Sequence, residues 1–429
     1  MTCLVHALLS GALLVLPAHG MSSASRLNAR DFVSIQAAID SLPRSGGVVY
    51  IPGSADLPGG AYSPRTHPSF GYARERTALR IPAGKIVHLL GDGKDVTILR
   101  AAEKDSDLVQ VLGDKCIVEG LTLDNAQRAG AERGHSRGIV IGRASDAGSA
   151  VTGVSVRDCR VVNSPGWPLY VKGTNESSIA ILCTYDNVQL WGNRNPQQGA
   201  IYIGPGCTTQ TFRDCYVQPF TGYGALLDHA EGITFANCAF EGQQSHDVPY
   251  VFVKGSNVVG FDRCWFEAHG AADTTRFIRL LGALHSVDII GCRFARDTLA
   301  DSANAIQIDG TCKSVVILDP EMAIPKFQPL HGAGDIAITN ADASPVGSSE
   351  VTVIGGIVAT NSTFRTPVLA DRSPRTSLQS RARMPRLTDA QIAALPSPKV
   401  GDMVLNTTTN RIDVFLGPEG WVGVTTGAR

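Results

Sequence analysis

Asp228 and His229 stand where the surrounding pattern places glycine. Short alternating runs elsewhere in this stretch end at Gly204, Gly255, Gly282 and Gly310, but this one reads Ala225-Leu226-Leu227-Asp228-His229. A local break in a repeated rule favours a functional position. A carboxylate beside an imidazole suits proton transfer. On a repeat of this period Tyr202 and Lys254 fall one repeat away on either side, and Lys172 falls two repeats back. Together they offer a base, a proton donor and a cation to hold a carboxylate, the groups that eliminative cleavage of an acidic sugar requires. The competing reading is a turn aspartate that bonds its own backbone next to a surface histidine.

A second set consists of two carboxylates. Glu241 and Glu267 each follow a cysteine by three residues, in Cys238-Ala239-Phe240-Glu241 and Cys264-Trp265-Phe266-Glu267. If these phrases stack, the glutamates face outward about 4.8 Å apart, one strand spacing. Like charges that close raise one pKa, giving an acid and a nucleophile or base. Glycoside hydrolysis uses such a pair, about 5–5.5 Å apart for retention and 6.5–9.5 Å for inversion. His246, Asp247 and His269 lie in the loops that follow. Two solvated glutamates with no joint role are the alternative. Tyr170, Tyr202, Phe252 and Trp265 fall at outward positions, where flat rings stack on sugars or cover a subunit contact.

The element that must hold these residues is a repeat. Cys159-Arg160-Val161, Cys215-Tyr216-Val217, Cys238-Ala239-Phe240, Cys264-Trp265-Phe266 and Cys292-Arg293-Phe294 recur, and with Asn187 filling the gap the spacings are 28, 28, 23, 26 and 28 residues. A period in the twenties means a solenoid, because one unit cannot bury its apolar face alone. Within each period Ile201-Tyr202-Ile203, Val251-Phe252-Val253, Ile278-Arg279-Leu280 and Ile306-Gln307-Ile308 alternate as strands do. Two or three such strands per turn, with no room for a helix, predict an all-β chain folded as a right-handed parallel β-helix. The register cysteines and Phe240, Phe266 and Phe294 then stack inward. The 10 cysteines read as small apolar interior residues; a disulfide framework is the alternative, and no zinc-type spacing occurs.

Composition narrows the classes. A formal net charge of -1 argues against nucleic acid, which calls for a basic face. Neither a phosphate loop nor a dinucleotide glycine motif stands in a strand-to-helix context. Residues 1–20 carry the apolar run from Leu8 to Leu16 and then Pro17-Ala18-His19-Gly20, the pattern of a signal peptide, but without a Lys or Arg ahead of it. Met21 as the first residue is the other reading. No other segment has the roughly 18 apolar residues of a membrane span, so no membrane partner is expected.

Ile35, Ala38, Ile39 and Leu42 give a short amphipathic helix that ends at Pro43 and Gly46-Gly47. A helix there would cap the open edge of the first coil. This helix, the strand Val48-Val49-Tyr50-Ile51-Pro52-Gly53, and Gly91-Asp92-Gly93-Lys94 before Val96-Thr97-Ile98-Leu99 resemble the N-terminal signature of the pectate-lyase-like superfamily, which includes polysaccharide lyases, hydrolases and phage tailspikes. The likeness runs from Asp31 to about Asn361. It implies the fold and a polysaccharide as partner, while the same solenoid serves lyases, hydrolases, epimerases and inert adhesins. Leu227-Asp228-His229 partly resembles the Asp-His motif of pectate lyases, without its preceding aromatic residue. Gly134-His135-Ser136-Arg137 is similar to the Gly-His-Gly of polygalacturonases, whose paired aspartates are missing here, since no Asp-Asp occurs.

Residues 21–365 are thus expected to form the β-helix and 366–386 a linker rich in Arg, Ser and Pro. Residues 387–429 form a small β module: Thr388-Asp389-Ala390-Gln391 is a capping box opening a short helix, and two runs from Met403 and Arg411 make a hairpin-like unit with an asparagine in its exposed turn. The module resembles units of phage tail fibres and tailspikes, which implies assembly or attachment and a homotrimer. The expected function is an extracellular polysaccharide-degrading lyase or hydrolase with its groove at loops 191–199, 218–224, 241–249 and 267–276. A non-catalytic glycan-binding or structural tail protein is the alternative, on a virion tail if Met21 is the start. Calcium is the cation an acidic glycan would call for, and no ligand loop for it is legible.

Overall fold

The computed structural model describes residues 25–65, 67–68, 76–103, 106–126, 136–142, 150–172, 179–192, 198–243, 248–268, 277–282, 285–296, 306–309, 315–318, 321–323, 336–339, 351–354, 386–394, 403–409, 411–415, 418 and 420–424. The leader at 1–20, most of the linker, Gly134-His135, His246, Asp247 and His269 lie outside them.

Each turn of the chain lays down three short strands, and equivalent strands of successive turns pair in parallel. The first sheet runs through Ala180–Asp186, Thr208–Arg213, Glu231–Ala236 and Asn257–Asp262. In the second, Arg160–Val162, Gln189–Trp191, Tyr216–Gln218, Ala239–Gln243, Trp265–Ala268 and Arg293–Arg296 follow one another. The third includes Leu169–Val171, Gly199–Ile203, Tyr223–Asp228, Val251–Lys254 and Ile278–Leu281. The chain is therefore an all-β parallel solenoid. At the N-terminal side the helix Ile35–Ser41, capped by the Ser34 hydroxyl, buries Ile35, Ala38 and Ile39.

Stacking of like on like fills the interior. Phe240, Phe266 and Phe294 lie ring on ring at 4.9 and 5.1 Å. Tyr185, Phe212, Phe235 and Phe261 make a second file at 4.3, 4.6 and 5.4 Å. The Tyr185 hydroxyl, fully buried, donates to the Gln210 side-chain oxygen at 2.9 Å, and the Gln210 amide donates to two backbone carbonyls.

The register of the cysteine file needs one correction. Arg160 pairs with Gln189 and Gln189 with Tyr216, so Val188, not Asn187, occupies the cysteine position. Leu190 then aligns with Val161 and Val217, which removes the misfit of Gln189. Asn187 stands one place earlier with φ 52°, the left-handed conformation shared by Asp158, Asp214, Asn237 and Arg263. Asn and Asp tolerate that region because their short polar side chains bond locally. The Asn187 amide donates to the Asp158 carboxylate at 2.7 Å, and that of Asn237 donates to Asp214.

The eight described cysteines are free and buried. Burial raises the thiol pKa, to about 11 for Cys116 and Cys183 and about 12 for Cys159. A thiolate is the reactive form. N-ethylmaleimide at neutral pH should therefore leave these eight unmodified in the folded protein and label all of them in denaturant, as read by peptide mass spectrometry. Labelling of Cys215, Cys238 or Cys264 under native conditions would contradict the closed interior.

The C-terminal residues form a four-stranded sheet of Arg386–Leu387, Met403–Asn406, Arg411–Phe415 and Trp421–Val424. The capping box forms, with Thr388 and Gln391 bonding reciprocally at the start of helix Asp389–Ala393. Asn406 is buried. Its amide donates to Asp389 and Asp413 at 2.6 Å each, and its oxygen accepts the Thr408 and Thr409 N–H groups. Asn410, the turn asparagine, lies outside the described residues.

Candidate functional site

The third sheet brings the first set of residues together. Tyr202 aligns with Leu226, and Asp228 aligns with Lys254 on the next strand. His229 follows directly with φ 52°, a backbone turn that swings its ring back so that Nδ1 lies 2.7 Å from the Asp228 Oδ1. The Lys254 ammonium lies 3.3 Å from the same oxygen. The Tyr202 hydroxyl also hydrogen-bonds Asp228, and burial, then the neighbouring Tyr202 contacts with Tyr170 and Asp228, push its pKa well above the ordinary tyrosine value. Three donors thus converge on one carboxylate. The imidazole is more than half exposed, with its side chain at 58%.

A glycine shapes the floor. Gly255 follows Lys254 with φ 60°, and a Cβ there would fall 2.7 Å from both Cδ2 and Nε2 of His229. The break in the glycine rule at Asp228-His229 and the glycine one coil later are two halves of one arrangement. Lys172 takes a different course. Its stem lies over Gly204, and its ammonium donates to the Pro205 carbonyl at 2.8 Å.

A strip of rings leads to this cluster. Tyr170 and Tyr202 stack at 4.8 Å, Trp167 leans on Tyr202 at 5.4 Å, and Trp167 and Tyr223 stack at 6.5 Å. Tyr223 continues to Phe252 at 5.9 Å. Guanidinium groups close both ends, Arg137 over Tyr170 at 4.5 Å and Arg279 over Phe252 at 5.2 Å. Arg137 is itself buried and forks onto Asp107 through Nε at 2.9 Å and Nη2 at 2.6 Å. Sequence patterning missed Trp167, Tyr223, Arg137 and Asp107, since all four stand outside the central alternating triplets. The one available signal was Gly166-Trp167-Pro168, a large ring held in a connector.

The second set lies on a different sheet. Glu241 and Glu267 are register neighbours on the second sheet. The Trp265 indole N–H donates to Glu267 at 2.8 Å, and the Tyr216 hydroxyl bonds Glu241. Burial first, then Glu241 and Glu267, raise the Tyr216 pKa to about 12. The described ends of loops 191–199, 218–224, 241–249 and 267–276 join the second sheet to the third. Glu241 and Glu267 border that corner, whereas Asp228 and His229 close a third-sheet strand at its opposite end, next to the return to the first sheet. Among the described residues no group of three or more His, Cys, Asp and Glu is arranged to hold a metal ion, and no helix is long and apolar enough to cross a membrane.

No family model matches the sequence, and no curated protein matches it at a significant level. Solved structures do match. ORF18 of Geobacillus virus E2 superposes with a TM-score of 0.52 at 13% identity, covering 93% of this chain and 86% of its own. The A-module of the mannuronan C-5 epimerase AlgE6 of Azotobacter vinelandii gives 0.50 at 14% identity, covering 77% of this chain and 93% of its own. These likenesses establish the fold, which is that of the pectate-lyase-like parallel β-helix proteins.

Proposed function

We propose that the protein is a polysaccharide-degrading or polysaccharide-modifying enzyme that removes the proton α to the carboxylate of a uronic acid residue, as a lyase does. The observation that carries the reading is the convergence of Tyr202, His229 and Lys254 on Asp228. With Nδ1–H donated to Asp228, the imidazole presents its lone pair at Nε2, the position of a general base. Asp228 fixes that tautomer and supports the imidazolium that forms. Tyr202 keeps its proton at neutral pH because its pKa is raised, which suits it to protonate the departing glycosidic oxygen. Lys254 offers positive charge where the uronate carboxylate gains electron density. The aromatic strip supplies flat apolar surface on which sugar rings stack. One structural neighbour is named as a C-5 epimerase of mannuronan, a reaction at the same carbon of a uronate polymer.

The test is a panel of acidic and neutral polysaccharides incubated with residues 21–429, following reducing ends and the ultraviolet absorbance of unsaturated products together, with and without calcium. Absorbance that rises with reducing ends is the expected result. Reducing ends alone would move the reaction to hydrolysis and to Glu241 and Glu267. Gly255→Ala supplies a finer check: its methyl would push on the His229 ring, and displacement of a reacting group by about 1 Å costs up to about 100-fold. Turnover should fall about 10- to 100-fold while circular dichroism stays that of the wild type; unchanged turnover would remove His229 from the mechanism.

The same reading includes the finer organisation. The solenoid is right-handed, Ile35–Ser41 caps its first coil, residues 21–365 form it, 366–386 link, and 387–429 form an assembly module that supports a homotrimer. The enzyme works outside the cell on glycan, with residues 1–20 as leader, or from a virion tail if Met21 begins the chain. One observation favours a second reading, a non-catalytic structural or glycan-binding tail protein: the likeness to the viral ORF18 spans nearly the whole of both chains. Such a protein would hold glycan on the aromatic strip without turnover.

A further inference from the structure

On the outer face of the second sheet, one row of side chains is built almost entirely of large planar or extended groups. In register it runs Arg160, Gln189, Tyr216, Ala239, Trp265, Arg293. Neighbours in this row touch: the Arg160 Nε donates to Gln189 at 2.7 Å, and the Arg293 guanidinium lies 4.3 Å over the Trp265 ring. Ala239 is the exception, a methyl group between two rings. Tyr216 and Trp265 are two strands apart, about 9.6 Å at the strand spacing, and make no ring contact with each other.

Such a gap need not stay open. On the third sheet Trp167 and Tyr223 also flank a small residue, Gly199, and there the rings lean together to 6.5 Å with planes 8° apart. At Ala239 the rings are held apart. Arg293 packs on Trp265, whose indole N–H is tied to Glu267 at 2.8 Å, and the Tyr216 hydroxyl is tied to Glu241. A flat guest centred over Ala239 would have a ring about 4.8 Å from each face, the distance at which planar and saccharide rings stack.

We propose that this notch binds a hexosamine residue carrying a free ammonium group. Both faces of a pyranose offer C–H groups to Tyr216 and Trp265, as sugars do on aromatic platforms. The edge of the notch carries the carboxylates of Glu241 and Glu267, register neighbours on adjacent strands. They select positive charge and reject a uronate, and a cation between two aromatic rings gains further from their negative faces. This site is separate from the Asp228 cluster, which lies on the third sheet. It assigns the glycan a basic residue in addition to the acidic one, and its binding can be read without turnover.

The experiment uses the full chain and four probes: tetramers of β-1,4-linked glucosamine, N-acetylglucosamine and glucose, and methylguanidinium, followed by saturation-transfer difference NMR and by calorimetry. The glucosamine tetramer should bind at least about tenfold more tightly than either neutral tetramer, the size of one charge-assisted contact, and should weaken as salt rises. Ala239→Leu fills the notch from an outward position and should abolish the difference; Glu241→Gln should remove the preference for glucosamine while retaining weak stacking. Equal binding of the three tetramers, binding unchanged in Ala239→Leu, or binding of methylguanidinium alone would each overturn the assignment. Circular dichroism of both variants checks that the coil remains intact.

Discussion

Asp228→Asn is expected to lower turnover on a uronate polysaccharide about 100- to 10,000-fold while leaving the fold and glycan retention unchanged. The carboxylate accepts from His229, Lys254 and Tyr202 at once. An amide of the same shape can accept one of these but also presents an N–H group, so it favours the wrong imidazole tautomer and leaves the lysine charge unbalanced. The lost quantity is transition-state stabilisation. The drop should therefore appear in kcat, with KM little changed. His229→Gln should give a loss of the same order, and the double variant little more, since groups that act as one unit are not additive. A KM rise at constant kcat would instead make Asp228 a binding residue.

The second large effect is expected from the buried pair behind the aromatic strip. Arg137→Met should destabilise the protein by about 3–5 kcal/mol, because it leaves the Asp107 carboxylate without its ion partner in the interior. The Asp107 side chain is only 3% exposed and that of Arg137 6%, so water does not replace the lost contacts. Asp107 also accepts the Arg137 backbone N–H, and the Arg137 carbonyl accepts from Asn125, so the pair fixes the start of a third-sheet strand. Asp107→Leu with Arg137→Met should recover most of the loss, since a well-packed apolar pair often matches a buried ion pair. Urea midpoints measure both. Turnover separates packing from placement: Arg137 lies over Tyr170, which stacks on Tyr202, so the double variant should be stable yet still impaired. A single variant as stable as the wild type would show that Asp107 has another source of compensation.

Much of the solenoid was legible because its signals repeat. The alternation at Ile201-Tyr202-Ile203 and Val251-Phe252-Val253 marks strands, and the Phe240, Phe266 and Phe294 file follows from fixed offsets after cysteine. Those offsets also place Glu241 beside Glu267. Asn187 was misread because spacing alone does not separate the buried cysteine position from the left-handed residue ahead of it. Both positions repeat at nearly the same period, and an asparagine belongs naturally to the second.

The site was less legible than the fold. Tyr202, Asp228 and Lys254 could be aligned by counting coils, but the dyad depends on a backbone angle at His229 that no residue pattern announces. Trp167 and Tyr223 meet across Gly199, and they come from connectors whose lengths differ from coil to coil. Lys172 fits the outward pattern, yet its flexible stem reaches Pro205 instead of extending from the sheet. Long side chains on a regular scaffold have many targets, and only packing selects one.

The account turns on proton removal at the carbon α to a uronate carboxylate. The most direct measurement is incubation of the wild-type protein and Asp228→Asn with uronate polysaccharides in deuterated water, reading products by NMR and mass spectrometry. The account predicts unsaturated chain ends, or deuterium at C-5 of intact residues, with the wild type and neither with the variant. Cleavage that yields saturated ends without deuterium at C-5, or equal products from both proteins, would contradict it.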